Sequence, residues 1–272
     1  MSKKIIVVTG GTDGIGLALV KKLIKLNHNI FIIGKNAEKG NKVLNDLNYP
    51  DLEFFQCDLS EKNEIKKLIK KFKNIKFIDS LINNAGSIFD KRLENSHNVE
   101  KTFALNHLSY FHLSFGLLEK LEKSNHGRII NVTSNIHKNY NLDLEDLENK
   151  KQYSGWKSYC RSKLLNIYFT YSFNKELSTK VKCNCFHPGF VNSNFGNNNH
   201  TFYRFLIKIL KNFLAISTDK ASKPLFELTN SDEFNNITNK YFYMLKEKKS
   251  SEQSYNFKIA KHVWDVSHKY IV

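Results

Sequence analysis

The stretch Ile5-Ile6-Val7-Val8-Thr9-Gly10-Gly11-Thr12-Asp13-Gly14-Ile15-Gly16 decides the fold of this chain. Its first four residues form a continuous β-branched run, which is typical of a strand buried in a parallel sheet. Glycines follow at positions 10, 14 and 16, and an amphipathic helix then runs to about Asn27. Strand, glycine-rich turn and helix in this order predict a dinucleotide-binding unit, because glycines let the backbone approach a pyrophosphate that the helix N-terminus faces.

Apolar runs of strand and helix length alternate from this unit to the C-terminus. Strands are predicted at residues 29–33, 52–56, 77–82, 128–132, 181–186 and 241–244. Helices are predicted at residues 37–47, 61–72, 99–122, 159–177 and 220–229, with a last helix around Trp264. This alternation predicts an α/β class, a doubly wound Rossmann fold with a parallel sheet of about seven strands and helices on both faces. Because only 3 Pro occur and no linker divides the chain, residues 1–272 are expected to form a single domain.

The 272 residues carry a net charge of +16. A basic surface can attract nucleic acid, anionic lipid or a phosphorylated cofactor. The lysines are scattered over predicted helix faces, as at Lys21, Lys22, Lys66 and Lys67, and form no basic arm. No nucleic-acid partner is therefore expected; such binding would appear as an affinity that falls steeply with salt.

The four cysteines, Cys57, Cys160, Cys183 and Cys185, lack the spacing of metal ligands. No metal site is therefore expected. The four cysteines are expected to be free thiols in a reducing compartment. The chain enters its first strand at Ile5, which leaves no room for a signal peptide or an N-terminal membrane span, and no apolar run reaches the ~18 residues of a transmembrane helix. The expected location is the cytoplasm.

The second strand ends at Gly34-Lys35-Asn36. At this point an acid would bind the ribose hydroxyls of NAD, whereas a basic residue accommodates the 2′-phosphate of NADP. Lys35 therefore favours NADP(H), with NAD(H) as the alternative. Asp13 argues against this preference if its carboxylate lies near that phosphate. Asp58, after the third strand, can accept from the adenine amino group; its alternative, a helix N-cap, suits Ser60 better.

Polar residues close the next strands. Asn83-Asn84-Ala85-Gly86 follows the fourth strand, where the Asn pair can tie strand ends together and Gly86 allows close approach of a cofactor. Asn106 lies inside an apolar helical run, and a mid-helix Asn is disfavoured unless its side chain has a specific partner. Ser134 places a hydroxyl at the carboxyl end of the fifth strand, where α/β sheets bind ligands, although a loop cap is the alternative.

Tyr159-Cys160-Arg161-Ser162-Lys163 opens the helix predicted at 159–177. The i, i+4 spacing puts Tyr159 and Lys163 on one helix face, one turn apart. A neighbouring ammonium favours the phenolate, so the pKa of Tyr159 is expected to fall from about 10 towards neutrality. Such a Tyr can donate or accept a proton at physiological pH. Alone, the pair could equally be a solvated surface pair, but the other motifs of the chain argue against that interpretation.

Taken together, these motifs resemble the short-chain dehydrogenase/reductase family in its Tyr-x-x-x-Lys branch, whose glycine motif is T-G-x-x-x-G-x-G. Within that family the chain is similar to the retinol dehydrogenase and WW-domain-containing oxidoreductase group. The segments that carry this similarity are Leu105-Asn106-His107-Leu108-Ser109-Tyr110-Phe111, Arg128-Ile129-Ile130-Asn131-Val132-Thr133-Ser134, Tyr159-Cys160-Arg161-Ser162-Lys163-Leu164, His187-Pro188-Gly189, Lys240-Tyr241-Phe242 and Trp264-Asp265-Val266-Ser267.

The resemblance implies a catalytic tetrad. Tyr159 would be the general acid in reduction and the base in oxidation, and Lys163 would lower its pKa and bind the nicotinamide ribose. Ser134 would donate to the substrate oxygen, and Asn106 would hold a water in a proton relay. The cofactor would be contacted by Gly10, Thr12, Asp13, Gly14, Ile15, Gly16, Lys35, Asp58, Leu59, Asn84, Ala85, Gly86, Tyr159, Lys163, Pro188, Gly189, Val191 and Ser193.

Two departures from the family accompany this resemblance. We expect no N-terminal membrane anchor of the kind that retinol dehydrogenases usually have, and Ser193 stands where the family usually has Thr. A substrate lid is expected at about 194–217. Within it, Thr201 to Ile216 reads as a basic amphipathic helix, for which a core-facing helix, a lid over an apolar substrate and a peripheral contact with a membrane surface remain open.

The sequence thus predicts an NADP(H)-dependent oxidoreductase that transfers a hydride between the nicotinamide and a small apolar carbonyl or alcohol. The substrate class suggested by the 21 Phe and 12 Tyr is an aldehyde, a ketone or a retinoid- or steroid-like compound. The alternative is a catalytically idle NADP-binding sensor or scaffold of the same fold, which turnover of a carbonyl panel would distinguish. The remaining possible partner is another copy of this chain, because homo-oligomers are common among relatives.

Overall fold

The computed structural model describes residues 3–189 and 216–272, together with the backbone of residues 191–192. The described strands are β1 (Ile5–Thr9), β2 (Asn29–Gly34), β3 (Leu52–Gln56), β4 (Ser80–Asn83), β5 (Arg128–Val132), β6 (Lys182–His187), β7 (Val191–Asn192), β8 (Ile216–Ser217), β9 (Tyr241–Tyr243) and β10 (Lys246–Glu247). The described α-helices are α1 (Gly14–Leu23), α2 (Ala37–Leu47), α3 (Lys62–Lys71), α4 (Lys101–Phe103), α5 (Ser109–Gly116), α6 (Leu118–Glu122), α7 (Gly155–Leu177), α8 (Thr218–Asn230) and α9 (Phe257–Ile271).

Eight strands form the main sheet, in the order β10-β9-β6-β5-β4-β1-β2-β3. The seven strands from β9 to β3 in this order pair in parallel, and the two-residue β10 adds an antiparallel edge. The prediction of a Rossmann-type parallel sheet with helices around it is therefore confirmed, with one short strand more than expected. β7 and β8 pair separately.

The β1 strand divides the apolar interior into two cores, because its side chains alternate between the sheet faces. Ile6 and Val8 pack into the core beneath α1 and α8. Val7 packs into the opposite core, which contains the stacked aromatic side chains of α5, α7 and α9. Helices on both faces follow from this two-sided burial.

The position of the site follows from the sheet order. Because β1 lies between β2 and β4, the strand order changes direction at β1. In open α/β sheets, ligands bind at such a point, at the carboxyl ends of the strands. The ends of β1, β4 and β5 lie side by side, since Val8 pairs with Ile82 and Asn83 pairs with Asn131.

Three predicted boundaries differ from the observed ones. The fourth strand was expected from residue 77, but it begins at Ser80, because the Ile78 amide donates to the carbonyl of Lys120 and not to a strand. The long helix predicted at 99–122 is divided into α4, a π-helical turn at Ala104–Leu108, α5 and α6. The helix expected to open at Tyr159 begins at Gly155, where the Ser154 hydroxyl accepts from a first-turn amide.

The predicted lid at 194–217 and the predicted helix at 201–216 lie outside the described residues, apart from Ile216 and Ser217. These two residues form β8 and precede α8. Among the described helices, none combines the length and hydropathy needed to cross a membrane. The four cysteines are free and buried.

Candidate active site

The glycine-rich turn requires glycine at three positions. Gly10 and Gly14 have φ values of +66° and +56°, a region that favours glycine. A Cβ added at Gly16 would lie 2.2 Å from the carbonyl oxygen of Gly10. The start of α1 is thus pressed against the end of β1. This is the cradle that a pyrophosphate requires, with no side chain between the backbone and the ligand.

Asn84 holds this turn against the fourth strand. Its Nδ2 donates to the Thr9 carbonyl at 2.9 Å, and its amide donates to the Thr9 hydroxyl at 2.8 Å. The amide of Ala85 donates to the same hydroxyl at 3.0 Å. Asn83 connects the fourth strand to the fifth, because its Nδ2 donates to Asn131 of β5 at 2.8 Å. The expectation that the Asn pair ties strand ends together is confirmed by these contacts.

Two lysine–aspartate pairs lie at the end of the site where an adenosine would bind. Lys35 Nζ is 2.6 Å from Asp58, and Lys39 Nζ is 3.0 Å from Asp13. Asp13 also accepts from the amide of Gly14 at 2.7 Å and so caps α1. Both lysine side chains are more than half exposed, which leaves their cations accessible to a phosphate.

The neighbourhood of Asp58 corrects one prediction. Ser60 was expected to cap the third helix, but Glu61 occupies that position, and the Ser60 hydroxyl donates to Asp58 at 2.7 Å. The pKa of Asp58 is lowered: burial opposes the charged form, but the bonds from Lys35 and Ser60 outweigh it. Leu59 is buried in the core, so only its backbone is available to a ligand. Thr12, in the glycine-rich turn, packs over Gly34.

Asn106 lies in the π-helical turn Ala104–Leu108 and is fully buried. Its side chain exchanges two hydrogen bonds with the backbone of Ser87, both 2.8 Å long, and donates to the Ser162 hydroxyl at 3.1 Å. These partners explain a polar residue within an apolar helix. A Cβ added at Gly86 would lie 3.2 Å from Asn106 Oδ1 and 3.5 Å from Lys163 Nζ, so the three predicted residues converge.

Lys163 is buried at the centre of the site. Its Nζ donates to the Val132 carbonyl at 3.0 Å and lies 5.5 Å and 5.6 Å from the ring centroids of Tyr159 and Tyr110. Burial lowers the pKa of Lys163 to about 7. Burial, with a smaller contribution from the Cys160 thiol, raises the pKa of Tyr159 above its ordinary value.

The lowered Tyr159 pKa expected from the i, i+4 spacing is therefore wrong. Spacing brings Lys163 to the ring of Tyr159, but the ammonium is directed at a carbonyl of β5 and is itself poorly solvated. Burial disfavours both the phenolate and the ammonium, so each group is shifted towards its neutral form.

Ser134 follows β5 in an extended conformation, with φ −152° and ψ 152°. Its neighbour Thr133 is tied to α7, because the Thr133 hydroxyl donates to the Lys163 carbonyl at 2.8 Å. The carbonyl of Ser134 is bonded to His137 Nδ1 at 2.7 Å. Ser134 thus stands at the same sheet edge as Lys163, on a backbone that is anchored on both sides.

The last predicted segment follows β6. Gly189 has φ +87°, and its amide donates to His187 Nδ1 at 3.3 Å. Ser193 lies outside the described residues. For Val191 only the backbone is described, and it pairs with Ile216.

Three contacts of the site were not predicted from sequence. The Thr9 hydroxyl accepts two backbone amides, Tyr110 donates to the Ala85 carbonyl at 2.9 Å, and Lys39 pairs with Asp13. Thr9 carried a signal, because it ends the first strand directly before the turn. Within the described residues, no group of three or more His, Cys, Asp or Glu side chains is arranged to hold a metal ion.

Comparisons with known proteins agree with this geometry. The family model described as short chain dehydrogenase matches residues 4–203. Human polyprenol dehydrogenase is 31% identical over 97% of this chain and 84% of its own length, and mouse retinol dehydrogenase 13 is 30% identical over 97% and 82%.

Two solved structures have the same fold. A Mycobacterium paratuberculosis protein of uncharacterised function aligns with a TM-score of 0.80 at 20% identity, covering 99% of this chain and 94% of its own. An RhlG/NADP complex from Pseudomonas aeruginosa aligns with a TM-score of 0.71 at 22% identity, covering 90% and 95%. This chain is a short-chain dehydrogenase/reductase, an oxidoreductase of the family that binds nicotinamide cofactors, and it is related to the retinol dehydrogenases.

Proposed function

We propose that this protein is an NADP(H)-dependent carbonyl reductase for apolar aldehydes or ketones, with Tyr159 as its general acid. The observation that carries the proposal is the convergence of Gly86, Asn106 and Lys163 beside the Tyr159 ring. When bound, the nicotinamide would supply the hydride. The proton that the substrate oxygen takes up would come from a side chain of this chain.

Reduction is the direction that the charge states favour. Because the pKa of Tyr159 is raised by burial, its phenol is protonated at neutral pH, as an acid that gives a proton to a carbonyl oxygen must be. Burial lowers the pKa of Lys163 to about 7, so its ammonium can return that proton to the phenolate near neutral pH. Ser134 would donate to the substrate oxygen and stabilise the charge that develops there.

Asn106 would serve the relay through its backbone. Its side-chain oxygen and nitrogen are engaged with Ser87 and Ser162. Its carbonyl accepts from Asn166 Nδ2 at 2.8 Å and keeps a second lone pair, which could accept from a water next to Lys163.

The cofactor would lie along the predicted residues from the glycine-rich turn to Gly189. The exclusion of side chains at Gly16 supports this fit, because nothing separates the start of α1 from a pyrophosphate. Lys35 and Lys39 support NADP(H) over NAD(H), since two exposed cations flank the end of β2. Charge-assisted bonds from these lysines would hold the 2′-phosphate.

The substrate is proposed from the relatives as well as from the composition. Polyprenol and retinol, in the names of the similar dehydrogenases, are both long apolar alcohols. We infer an apolar alcohol–carbonyl pair of isoprenoid or steroid type. The chain would act as one domain over residues 1–272, in the cytoplasm or at the surface of a membrane.

The test is turnover of NADPH with retinal, a short polyprenal, a steroid ketone and glyceraldehyde as a polar control. We expect reduction of the apolar compounds and a loss of at least about 10²-fold in Tyr159→Phe, because general acid catalysis contributes roughly that much. Tyr153→Phe is the matched control, since Tyr153 bonds to Phe89 and Glu100 outside the tetrad. Wild-type rates in Tyr159→Phe would refute the mechanism. NADPH binding without turnover of any compound would favour the sensor or scaffold.

The cofactor preference is tested by titrating NADPH and NADH against Lys35→Ala and Lys39→Ala. Each substitution removes one charge-assisted contact, so we expect NADPH affinity to fall about tenfold while NADH affinity stays unchanged. Lys42→Ala is the control, because Lys42 lies one turn further along α2 and pairs with Asp46. Equal losses for both cofactors would contradict the preference for NADP(H).

A further inference from the structure

Two histidines hold the peptide group that joins Ser134 to Asn135. His187, at the end of β6, accepts at Nδ1 from the amides of Asn135 and Gly189, both at 3.3 Å. An imidazole nitrogen that accepts carries no proton, so the proton of this neutral ring is on Nε2. One nitrogen of His187 therefore joins the loop after β5 to the turn after β6.

His137 holds the carbonyl of the same peptide group, and its ring is in the opposite tautomer. Its Nε2 accepts from the amide of Ser251 at 3.0 Å, so Nδ1 carries the proton and donates to the Ser134 carbonyl at 2.7 Å. The ring is fully buried. It therefore connects Ser134 to the segment that precedes the last helix.

Tyrosine rings fix the planes of both imidazoles. The Tyr241 ring lies 5.4 Å from that of His137 and 6.5 Å from that of His187, between centroids. The Tyr243 ring stacks on His187 at 5.1 Å. Neither ring can turn without losing this packing, so the two accepting nitrogens point at fixed positions.

We propose that His137 and His187 form a two-histidine clamp that positions the Ser134 hydroxyl, and that the clamp acts only while both imidazoles are neutral. It rests on the proposed function, in which Ser134 donates to the substrate oxygen. Both histidines are positioning residues, because their contacts are to backbone groups and not to reacting atoms. A proton on His187 Nδ1 would remove the acceptor of two amides at once, and a proton on His137 Nε2 would remove that of Ser251.

The surroundings keep the clamp neutral. Burial, followed by the nearby charge of Lys138, lowers the pKa of His137 to about 4, although its bond to the Ser134 carbonyl opposes the shift. Burial, His137 and Lys138 lower the pKa of His187 to about 4 as well. Tyr241 and Tyr243 are the other titratable groups against the two rings, and burial raises the pKa of Tyr241, so it stays uncharged. The clamp is therefore closed at neutral pH and opens as the pH falls towards 4.

The test compares His187→Leu with His187→Asn, because the Asn oxygen can accept where Nδ1 does and does not titrate. We expect kcat to fall roughly 10- to 100-fold in His187→Leu, as for a misplaced group, and most of it to return in His187→Asn. The decline of kcat between pH 5 and 4 should be weaker in His187→Asn than in wild type, because one of the two titrating rings is gone. His262→Leu, on the exposed face of α9, controls for the substitution itself.

A double-mutant cycle separates positioning from general destabilisation. If His187 acts through Ser134, His187→Leu has no further effect on kcat in a Ser134→Ala background. The clamp would be overturned if His187→Leu caused its full loss of kcat again in the Ser134→Ala background, or if it caused no loss of kcat in the wild-type protein.

The clamp can also be tested without turnover. Nitrogen-15 imidazole spectra should report opposite tautomers, Nδ1–H for His137 and Nε2–H for His187. The clamp would be overturned, even if no substrate is found, if both rings had the same tautomer or if His187 titrated with a pKa near 6.5. Opposite tautomers in a protein without turnover would retain the clamp and reject the proposed function.

Discussion

Buried histidines should make this protein lose stability in mild acid. His107, His112 and His137 are each less than 9% exposed, and burial lowers the pKa of each from 6.5 to about 4. The unfolded chain binds protons on these groups as the pH falls below 6.5, whereas the folded chain does not until about pH 4. The folded state is therefore penalised between these values, and the free energy of unfolding falls as the pH decreases.

The size of the loss follows from the pKa values. Between pH 7.5 and 5.5 each of these histidines lowers the free energy of unfolding by about 1.3 kcal/mol. His187, whose pKa burial also lowers to about 4, adds the same amount, so the four together lower it by about 5 kcal/mol. Lys163 adds roughly 1 kcal/mol in the same direction, because its folded-state pKa of about 7 lies within this interval. Carboxylates such as Asp58, with a lowered pKa, lose their contribution only at lower pH. A loss of this size is a large fraction of a typical domain stability.

The assay is urea unfolding followed by tryptophan fluorescence at both pH values. With a slope of about 2.5 kcal/mol per molar urea, the midpoint should fall by about 2–2.5 M at pH 5.5. His112→Phe removes one titrating ring from α5 and should reduce the histidine-dependent difference by about a quarter, whereas His262→Phe on the surface should not change it. Equal midpoints at the two pH values, or an unchanged difference in His112→Phe, would refute the reasoning.

Three further substitutions test contacts of the fold and the site. Gly16→Ala should weaken NADPH binding at least about tenfold in a fluorescence titration, because its Cβ would lie 2.2 Å from the Gly10 carbonyl and force the turn to move. Arg161→Met should cost about 3–5 kcal/mol in thermal unfolding, since it leaves the fully buried Glu100 without its partner at 3.2 Å, and adding Glu100→Gln should restore most of the loss. Thr9→Val should cost about 1–3 kcal/mol in urea unfolding, because two backbone amides lose their acceptor; an unchanged midpoint would contradict this.

Much of the fold could be predicted because its signals are local. The bounds of α2, β3 and β5 match the predicted ones, since each segment has a clear apolar period and is closed by polar residues. The glycine-rich turn was equally readable, because its conformation depends on residues within the turn. Asn106 could be singled out as an unfavourable residue for its helix, although the π-helical turn that accommodates it could not.

The rest depends on contacts between distant segments. The i, i+4 spacing correctly put Lys163 next to Tyr159, but the sign of the Tyr159 pKa shift depends on burial beneath elements far along the chain. Lys39 reaches Asp13 only because α2 packs beside the glycine-rich turn. The interruptions of the 99–122 helix likewise could not be read from its apolar periodicity, and Asn106 in its π-helical turn bonds to Ser87 and Ser162 of other segments.

The bond between His107 and Ser267 has a consequence for the order in which the protein matures during synthesis. His107 lies next to Asn106, and its Nε2 is 2.8 Å from the hydroxyl of Ser267, on the helix that ends the chain. The ribosome delivers β1, α1 and β2 first, so the glycine-rich turn can form while the remainder is still being made. The polar network around Asn106 has to wait until Ser267 and the helix that carries it have left the exit tunnel. Nascent chains would therefore acquire the parts of a cofactor site before those of a proton relay, and a chain truncated before Ser267 would lack an anchor of the relay.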